Sequence, residues 1–261
     1  ERRENSQRLH EQAAEAKIRE ESAIEASHLK SIFLANMTHE IRTPLNGIKG
    51  NTEFLLKTNL NESQEIYAKT IYESTGFLMS IVNDLLDFSK IESGQISIEV
   101  LPTNVTKILN SYPLIFSQSL KKNRNQLTIE CTDISANLLC MTDPLRLRQI
   151  LNNLISNAIK FTQDGTNVLY LSSGDNHSGD SQHVTKYIMF TVCDTGIGMT
   201  KEQTTRIFTP FSQADLTISR KYGGTGLGLT ICHKLVSILQ GHIGLFSEYG
   251  KGTLVWFSLP F

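Results

Sequence analysis

The spacing of apolar residues divides the chain into a helical first third and a mixed remainder. Leu29, Phe33, Met37, Ile41, Leu45, Ile48 and Leu55 recur at steps of three, four and seven, which marks one face of a long helix. After Lys57 the pattern breaks into the polar run Thr58-Asn-Leu-Asn-Glu-Ser-Gln64, in which Asn61 and Gln64 have the spacing of a helix-opening capping box. A second helix then carries Tyr67, Ile71, Ser74, Leu78, Ile81, Leu85 and Phe88 at heptad spacing, widened by Val82 and Leu86. Two long amphipathic helices joined by a short turn make an antiparallel hairpin. One hairpin leaves such a stripe in water, so the pattern predicts that two copies pair as a dimeric four-helix bundle. Residues 1–30, rich in Glu, Ala, Arg and Lys without proline or glycine, carry a thin seam of Leu9, Ala13, Ala16 and Ala23. They read as a helical coiled-coil signalling linker, the alternative being a solvated extension.

Gly94 closes the hairpin, and the period changes to two at Ile96, Ile98 and Val100, which predicts a strand. Residues 104–124 read as a helix interrupted by Pro113, and Leu127–Cys131 as another strand. Asp143-Pro144 opens a helix, with Asp as cap and Pro at its first position, that runs to about Phe161. Strands are expected over Val168–Ser173 and Tyr187–Cys193, separated by a polar hairpin loop over Gly174–Val184. A helix over Leu227–Leu239 ends at Gly241, and strands His242–Ser247 and Thr253–Leu259 turn at Gly250-Lys-Gly252. The expected organisation is multidomain. A linker covers residues 1–30 and an all-α hairpin residues 31–94, followed over residues 95–261 by an α/β sandwich with helices on one face of its sheet.

Composition narrows the function. A net charge of −1 gives no reason to expect nucleic acid or an anionic membrane surface as partner. The four cysteines lie far apart without a Cys-x-x-Cys pair, which argues for reduced thiols in the cytoplasm and against a disulfide framework or zinc site. No apolar run approaches the ~20 residues of a membrane span. The chain starts in mid-pattern at Glu1 and reads as a fragment of a longer protein, with room for a membrane anchor upstream.

The chemistry sits in a few short blocks. In Thr38-His39-Glu40-Ile41-Arg42-Thr43-Pro44-Leu45, taking Met37 as zero, Ile41 lies at about 40° while His39 and Thr43 lie at about 200° and 240° around the helix. Imidazole and hydroxyl therefore share the wet face, and Pro44, lacking an N–H, should bend the helix beside them. Asn153, Asn157 and Lys160 form a polar row at i, i+4 and i+7, with Leu154 and Ile155 turned to a core. Their amide oxygens suit hard Mg²⁺, which keeps several waters and also binds phosphate oxygens. Asp194 ends an apolar strand ahead of Gly196 and Gly198, and a buried carboxylate there needs a donor such as the exocyclic amine of adenine. Tyr222-Gly223-Gly224-Thr225-Gly226-Leu227-Gly228 leads into a helix, where backbone N–H groups converge on phosphate. There is no Walker A sequence, and no Gly-x-Gly-x-x-Gly follows a strand, so P-loop and Rossmann domains are disfavoured.

These four blocks, with Phe208-Thr209-Pro210-Phe211 between the last two, resemble in their order the core of a sensor histidine kinase, from its HisKA-type dimerisation and phosphotransfer hairpin to its Bergerat-type ATP-binding domain. Phe33-Leu34-Ala35-Asn36-Met37 and Asp84-Leu85-Leu86-Asp87-Phe88-Ser89-Lys90 look most like the hybrid branch, in which a receiver often follows in the same polypeptide. The resemblance implies autophosphorylation of His39 by ATP with Mg²⁺, with Glu40 taking the proton or fixing the tautomer, and transfer to an aspartate of a response-regulator receiver in cis or in trans. The His-x-x-x-Thr pattern implies that Thr43 orients water for receiver dephosphorylation. It assigns Asn157 to the metal, Asn153 and Lys160 to phosphates, Phe161 to the adenine side, and Asp194 with Gly196 and Gly198 to the first glycine box. Phe208 belongs to the phenylalanine box. Arg220 and Lys221 stand in a lid over ATP near the γ-phosphate, and Gly224, Thr225, Gly226, Leu227 and Gly228 form the phosphate loop. Thr253 lies behind the adenine-binding Asp194. A homodimer and an upstream sensory domain are the implied partners. Two rivals stay open: a non-catalytic nucleotide-switched scaffold, and an ATPase of the chaperone, mismatch-repair or topoisomerase kind that transfers to water.

Overall fold

The computed structural model of the chain describes residues 33–34, 36–132, 138–177, 184–212 and 225–260. The expected linker over residues 1–30 lies outside them, as do Arg220, Lys221 and Gly224. The chain divides into two compact units between Ile96 and Ser97.

The first unit is a pair of helices, α1 (36–55) and α2 (Glu62–Glu92). The capping box forms as expected: Gln64 N donates to Asn61 Oδ1 at 2.9 Å and Asn61 N to Gln64 Oε1 at 3.0 Å. Most buried positions keep a seven-residue spacing, at Thr38, Leu45 and Thr52 on α1 and at Ala68, Thr75 and Ser89 on α2, and Phe88 and Ile91 join them near the end of α2. These are mostly small residues. The hydroxyls of Thr52 and Thr75 fold back onto the carbonyls of Ile48 and Ile71, both at 2.7 Å, so burial leaves neither unpaired. The Arg42 guanidinium donates to Asn83 Oδ1 across the pair at 2.9 Å. Much of the large apolar stripe stays in water, as the dimer expectation requires: Ile41 and Ile48 are each 45% exposed and Leu78 is 47% exposed, whereas Leu45 and Phe88 are buried. α1 remains helical through Pro44.

The second unit holds a small antiparallel pair, β1 (Leu101–Asn104) with β3 (Leu139–Thr142), and a five-stranded sheet. The sheet strands are β2 (Gln126–Cys131), β4 (Thr166–His177), β5 (Val184–Asp194), β6 (His242–Glu248) and β7 (Gly252–Pro260), in the order β2-β4-β5-β7-β6. β2 runs parallel to β4, and every other pairing is antiparallel. One face is covered by α6 (Pro144–Phe161) and α8 (Gly228–Ile238). Alternate strand residues point into that layer: Leu169 and Leu171, then Ile188, Phe190 and Val192, then Val255, Phe257 and Leu259. Phe190 and Phe257 face each other in the ladder and stack with centroids 4.6 Å apart. From α6 the layer receives Leu147, Ile150, Leu151, Leu154, Ile155 and Ile159, and from α8 Ile231, Leu235 and Val236.

Several expected elements move. Ile96, Ile98 and Val100 lie in no strand; β1 begins at Leu101 because its partner ends at Thr142, where Asp143-Pro144 turns into α6. Glu99 N instead donates to Asp143 Oδ2 at 3.1 Å. The helix expected over 104–124 breaks into α3 (Val105–Asn110), α4 (Tyr112–Ile115) and α5 (Ser117–Asn123), with Pro113 in the first turn of the middle one. β4 and β5 extend into the expected loop, so that Gly174 pairs with Tyr187. Glycine fits there because the Tyr187 ring occupies the space a Cβ would take. β3 and the short α7 (Lys201–Arg206), opened by a Thr200–Gln203 capping box, have no counterpart in the periodicity. The left-handed residue after α8 is Gln240 rather than Gly241.

Asp143 joins these pieces: it is buried, and its Oδ1 accepts from Leu145 N at 2.9 Å and Arg146 N at 3.1 Å. Asp143→Ala should lower unfolding free energy by about 2 kcal/mol, read as a lower urea midpoint followed by circular dichroism with an unchanged slope.

Candidate functional site

On the first unit, His39, Glu40 and Thr43 are all exposed, while Thr38 is buried. The Thr43 hydroxyl donates to the His39 carbonyl at 3.1 Å, the back-bond of a threonine to the turn before it.

On the second unit the polar row of α6 emerges as the pattern requires. Asn153, Asn157 and Lys160 are half-buried, whereas Leu154, Ile155, Ala158 and Ile159 between them are buried. Lys160 Nζ lies 4.7 Å from the Phe161 ring centroid, and burial lowers the pKa of its ammonium. A Cβ on Gly228 would stand 2.7 Å from Asn153 Oδ1, so a glycine at the start of α8 lets this end of the glycine-rich turn lie against the row. Within that turn Gly226 takes a left-handed φ of 71° and Thr225 Oγ1 accepts from Leu227 N at 3.1 Å. Leu227 itself is buried and serves as the anchor of the turn. Leu227, at the N-cap position of α8, has no polar side chain to cap its first N–H groups.

Asp194, at the end of β5, is the other pole of the site. Its Oδ1 accepts from Gly196 N at 2.9 Å and from Thr253 N at 3.2 Å. Burial lifts its carboxyl above the ordinary value, and the two backbone donors oppose the rise. The turn after it is held by close backbone contacts. Ile197 N donates to Phe161 O at 3.2 Å, and a Cβ on Gly196 would overlap that same carbonyl. A Cβ on Gly198 would overlap Glu248 O, and one on Gly252 would overlap Asp194 O. The last α6 residue, the Asp194 turn and the Gly250–Gly252 turn thus meet backbone to backbone.

The structure therefore brings Asn153, Asn157, Lys160, Phe161, Asp194, Gly196, Gly198, Thr253 and the Thr225–Gly228 turn into one region. Phe208 reaches it through α8: its carbonyl accepts from Thr230 Oγ1 at 3.1 Å, and its ring centroid lies 5.5 Å from that of His233. Among the described residues no cluster of three or more His, Cys, Asp or Glu side chains could hold a metal. Sequence reasoning missed the support of the α6 C terminus by Asn123 and Asn125, whose contacts span 34–37 residues and leave no local signature.

Residues 29–94 match the HisKA family, the His Kinase A (phospho-acceptor) domain, and residues 142–261 match HATPase_c, the histidine kinase-, DNA gyrase B- and HSP90-like ATPases. Sensor protein GacS of Pseudomonas syringae pv. syringae is 42% identical over 257 residues, 98% of this chain and 28% of that protein. The chain belongs to the sensor histidine kinase family. Hybrid signal transduction histidine kinase A of Dictyostelium discoideum is 38% identical over 246 residues, 94% of this chain and 11% of that protein. Full-length ShkA, solved in complex with AMPPNP, superposes with a TM-score of 0.67 at 32% identity, over 87% of this chain and 45% of that one. This kinase core thus spans little more than a quarter of GacS. No helix among its described residues is long and apolar enough to cross a membrane.

Asp194→Asn separates binding from folding. Because burial raises the folded carboxyl's pKa, its contribution to stability is greatest in acid and is lost as pH rises through that raised value. At pH 7 the neutral isostere therefore removes a desolvation cost. The nucleotide-free variant should melt no lower than wild type, while calorimetry shows ATP binding weaker by ~1.5–3 kcal/mol.

Proposed function

We propose that this chain is the catalytic core of a two-component sensor histidine kinase that phosphorylates His39 from ATP and passes the phosphoryl group to a receiver aspartate. One observation carries the reading: a single chain joins an exposed histidine on a HisKA helix to a half-buried aspartate and a half-buried Asn-Asn-Lys row in an ATPase-family fold. A gyrase- or HSP90-like ATPase has no use for the His39 hairpin, and a nucleotide-switched scaffold has no use for His39 itself.

In this reading Asp194 accepts the adenine amine, with Thr253 behind it and Phe161 beside the ring. Lys160, Asn153 and the N–H groups of the Gly224–Gly228 turn take the phosphates, and Arg220 or Lys221 serves the γ-phosphate. The donor set fits Mg²⁺: with no acidic cluster among the described residues, an amide oxygen of Asn157 would hold it beside water and phosphate oxygens. Mg²⁺ there neutralises charge on the transferring phosphate. The lone pair of His39 Nε2 attacks the γ-phosphorus, the bond to the bridging oxygen breaks, and ADP leaves. Glu40 takes the Nδ1 proton, which leaves neutral phosphohistidine. Attack by a receiver carboxylate on that phosphorus restores His39. Thr43, one turn along the same exposed face, orients water for the reverse task, hydrolysis of the receiver phosphate.

The wet stripe on α1 and α2 and the HisKA match support a homodimer. The hybrid relative supports a receiver partner, fused or separate, and the name of GacS supports an upstream sensory domain. A cytoplasmic location fits a core of this kind.

After incubation with γ-labelled ATP, wild type should carry acid-labile, base-stable label and His39→Gln none, with dimerisation and nucleotide affinity retained. The exposed His39 side chain makes a stability change within about 0.5 kcal/mol the expected cost. Label on the variant would overturn the assignment. Thr43→Ala should keep autophosphorylation and lose most phosphatase activity toward a purified, phosphorylated receiver. Equal loss of receiver phosphate with both proteins would leave Thr43 only its back-bond to His39 O.

A further inference from the structure

The C terminus of α6 is closed in an uncommon way. Many helix ends meet a left-handed residue, and the N–H groups that follow fold back on the last carbonyls. Here Thr162 leaves α6 in an extended conformation, with φ −104° and ψ 139°. Only Ala158 O is served by the departing backbone, through Thr162 N at 3.1 Å.

Ile159 O, Phe161 O and Thr162 O are met from outside. Asn125, buried between α5 and β2, donates both protons of its Nδ2, to Ile159 O and to Thr162 O, each at 2.9 Å. Its Oδ1 accepts from Gly165 N at 3.3 Å. Asn123 Nδ2 adds a second donor to Ile159 O at 2.8 Å. Backbone bonds reinforce the join: Asp164 N to Asn123 O and Gln126 N to Gly165 O, both at 3.0 Å. The Arg124–Asp164 ion pair beside it is exposed and contributes little.

The carbonyl of Phe161 leads into the site. Phe161 O accepts from Ile197 N, and Gly196 N, one residue back, donates to Asp194 Oδ1. Asn125 therefore stands at one end of a short run of hydrogen bonds whose other end is the carboxylate assigned to adenine. Asn153 and Asn157 lie one to two turns earlier on α6, where Leu151, Leu154 and Ile155 fix the helix by burial. The geometry points to Asn125 as a positioning residue for the adenine end of the nucleotide site: it sets where Phe161 and the Asp194 turn stand relative to each other. This rests on the nucleotide reading above.

Asn125→Asp in the full chain tests it. The variant keeps shape and the acceptor for Gly165 N but replaces the nitrogen that carries both donors with an oxygen that repels the two carbonyls. ADP dissociation constant by calorimetry and KM for ATP in autophosphorylation should each rise about tenfold. kcat should stay within about twofold, because the phosphate and metal end is held by core burial. A residue that only held the fold together would do the opposite: less active protein, hence lower kcat, with KM and the dissociation constant unchanged. That result overturns the inference, as does wild-type behaviour in every readout. If Asn125→Asp does not fold, Asn123→Ala removes one of the two donors to Ile159 O. It should raise the dissociation constant about twofold at unchanged kcat, and an unchanged constant overturns the inference. Wild type and Asp194→Asn run alongside. If wild type binds no ADP, the nucleotide reading falls and takes this one with it. If Asp194→Asn weakens binding and the asparagine variants do not, positioning by Asn125 alone is lost.

Discussion

Burial of one face of α6 is the constraint on which the second unit depends. Leu147, Ile150, Leu151, Ile155 and Ile159 are essentially inaccessible, and at about 1.5–3 kcal/mol for each such side chain their joint contribution is on the order of 10 kcal/mol. That exceeds any single polar interaction in the unit and fixes the rotation of the helix about its axis. The row Asn153, Asn157 and Lys160 is then turned out of the core whether or not a ligand is there to use it. The cost of half-burying an ammonium, visible in the lowered pKa of Lys160, is small against that term. Preorganisation of the row follows from hydrophobic burial rather than from contacts among the polar groups.

The hairpin inverts the usual economy of a helical pair. Its buried positions are mostly Thr, Ala and Ser, joined by Leu45, Phe88 and Ile91, and many of its other large residues face water. Small residues let two helices approach closely but bury little apolar area, so the pair is poorly stabilised by itself. The exposed stripe of Ile and Leu supplies what the buried positions lack once a second copy covers it. Folding of this unit and association of two chains are therefore expected to be linked by mass action.

Features set by neighbours in sequence were legible in the sequence. The Asn61–Gln64 capping box, the Asp143-Pro144 opening of α6, its polar row and the turn before β7 depend on residues within one or two turns of each other. Features set by distant partners were not. Alternation at Ile96, Ile98 and Val100 has the period of a strand, but a strand needs a partner, and β3 stops at Thr142. The break at Pro113 was legible, but the second break, at Phe116, and the extension of β4 past Gly174, where it faces Tyr187, carry no local signature. The same holds within the site. His39, Asp194 and the α6 row announce themselves by type and spacing, whereas Asn125 looks like a loop asparagine until the carbonyls of Ile159 and Thr162 are seen beside it.

The glycines around Asp194 have a consequence for variation. At Gly196, Gly198 and Gly252 the space a side chain would need is filled by main-chain carbonyls, those of Phe161, Glu248 and Asp194. Rotamer changes cannot clear that space, since every L-residue shares the same backbone. An inhibitor seated against this corner would rest on a surface that single substitutions cannot reshape without dismantling the turn itself. One that draws its affinity from the side chains of α6 would have no such protection, because Asn153 and Asn157 can be exchanged while the buried face still holds the helix in place.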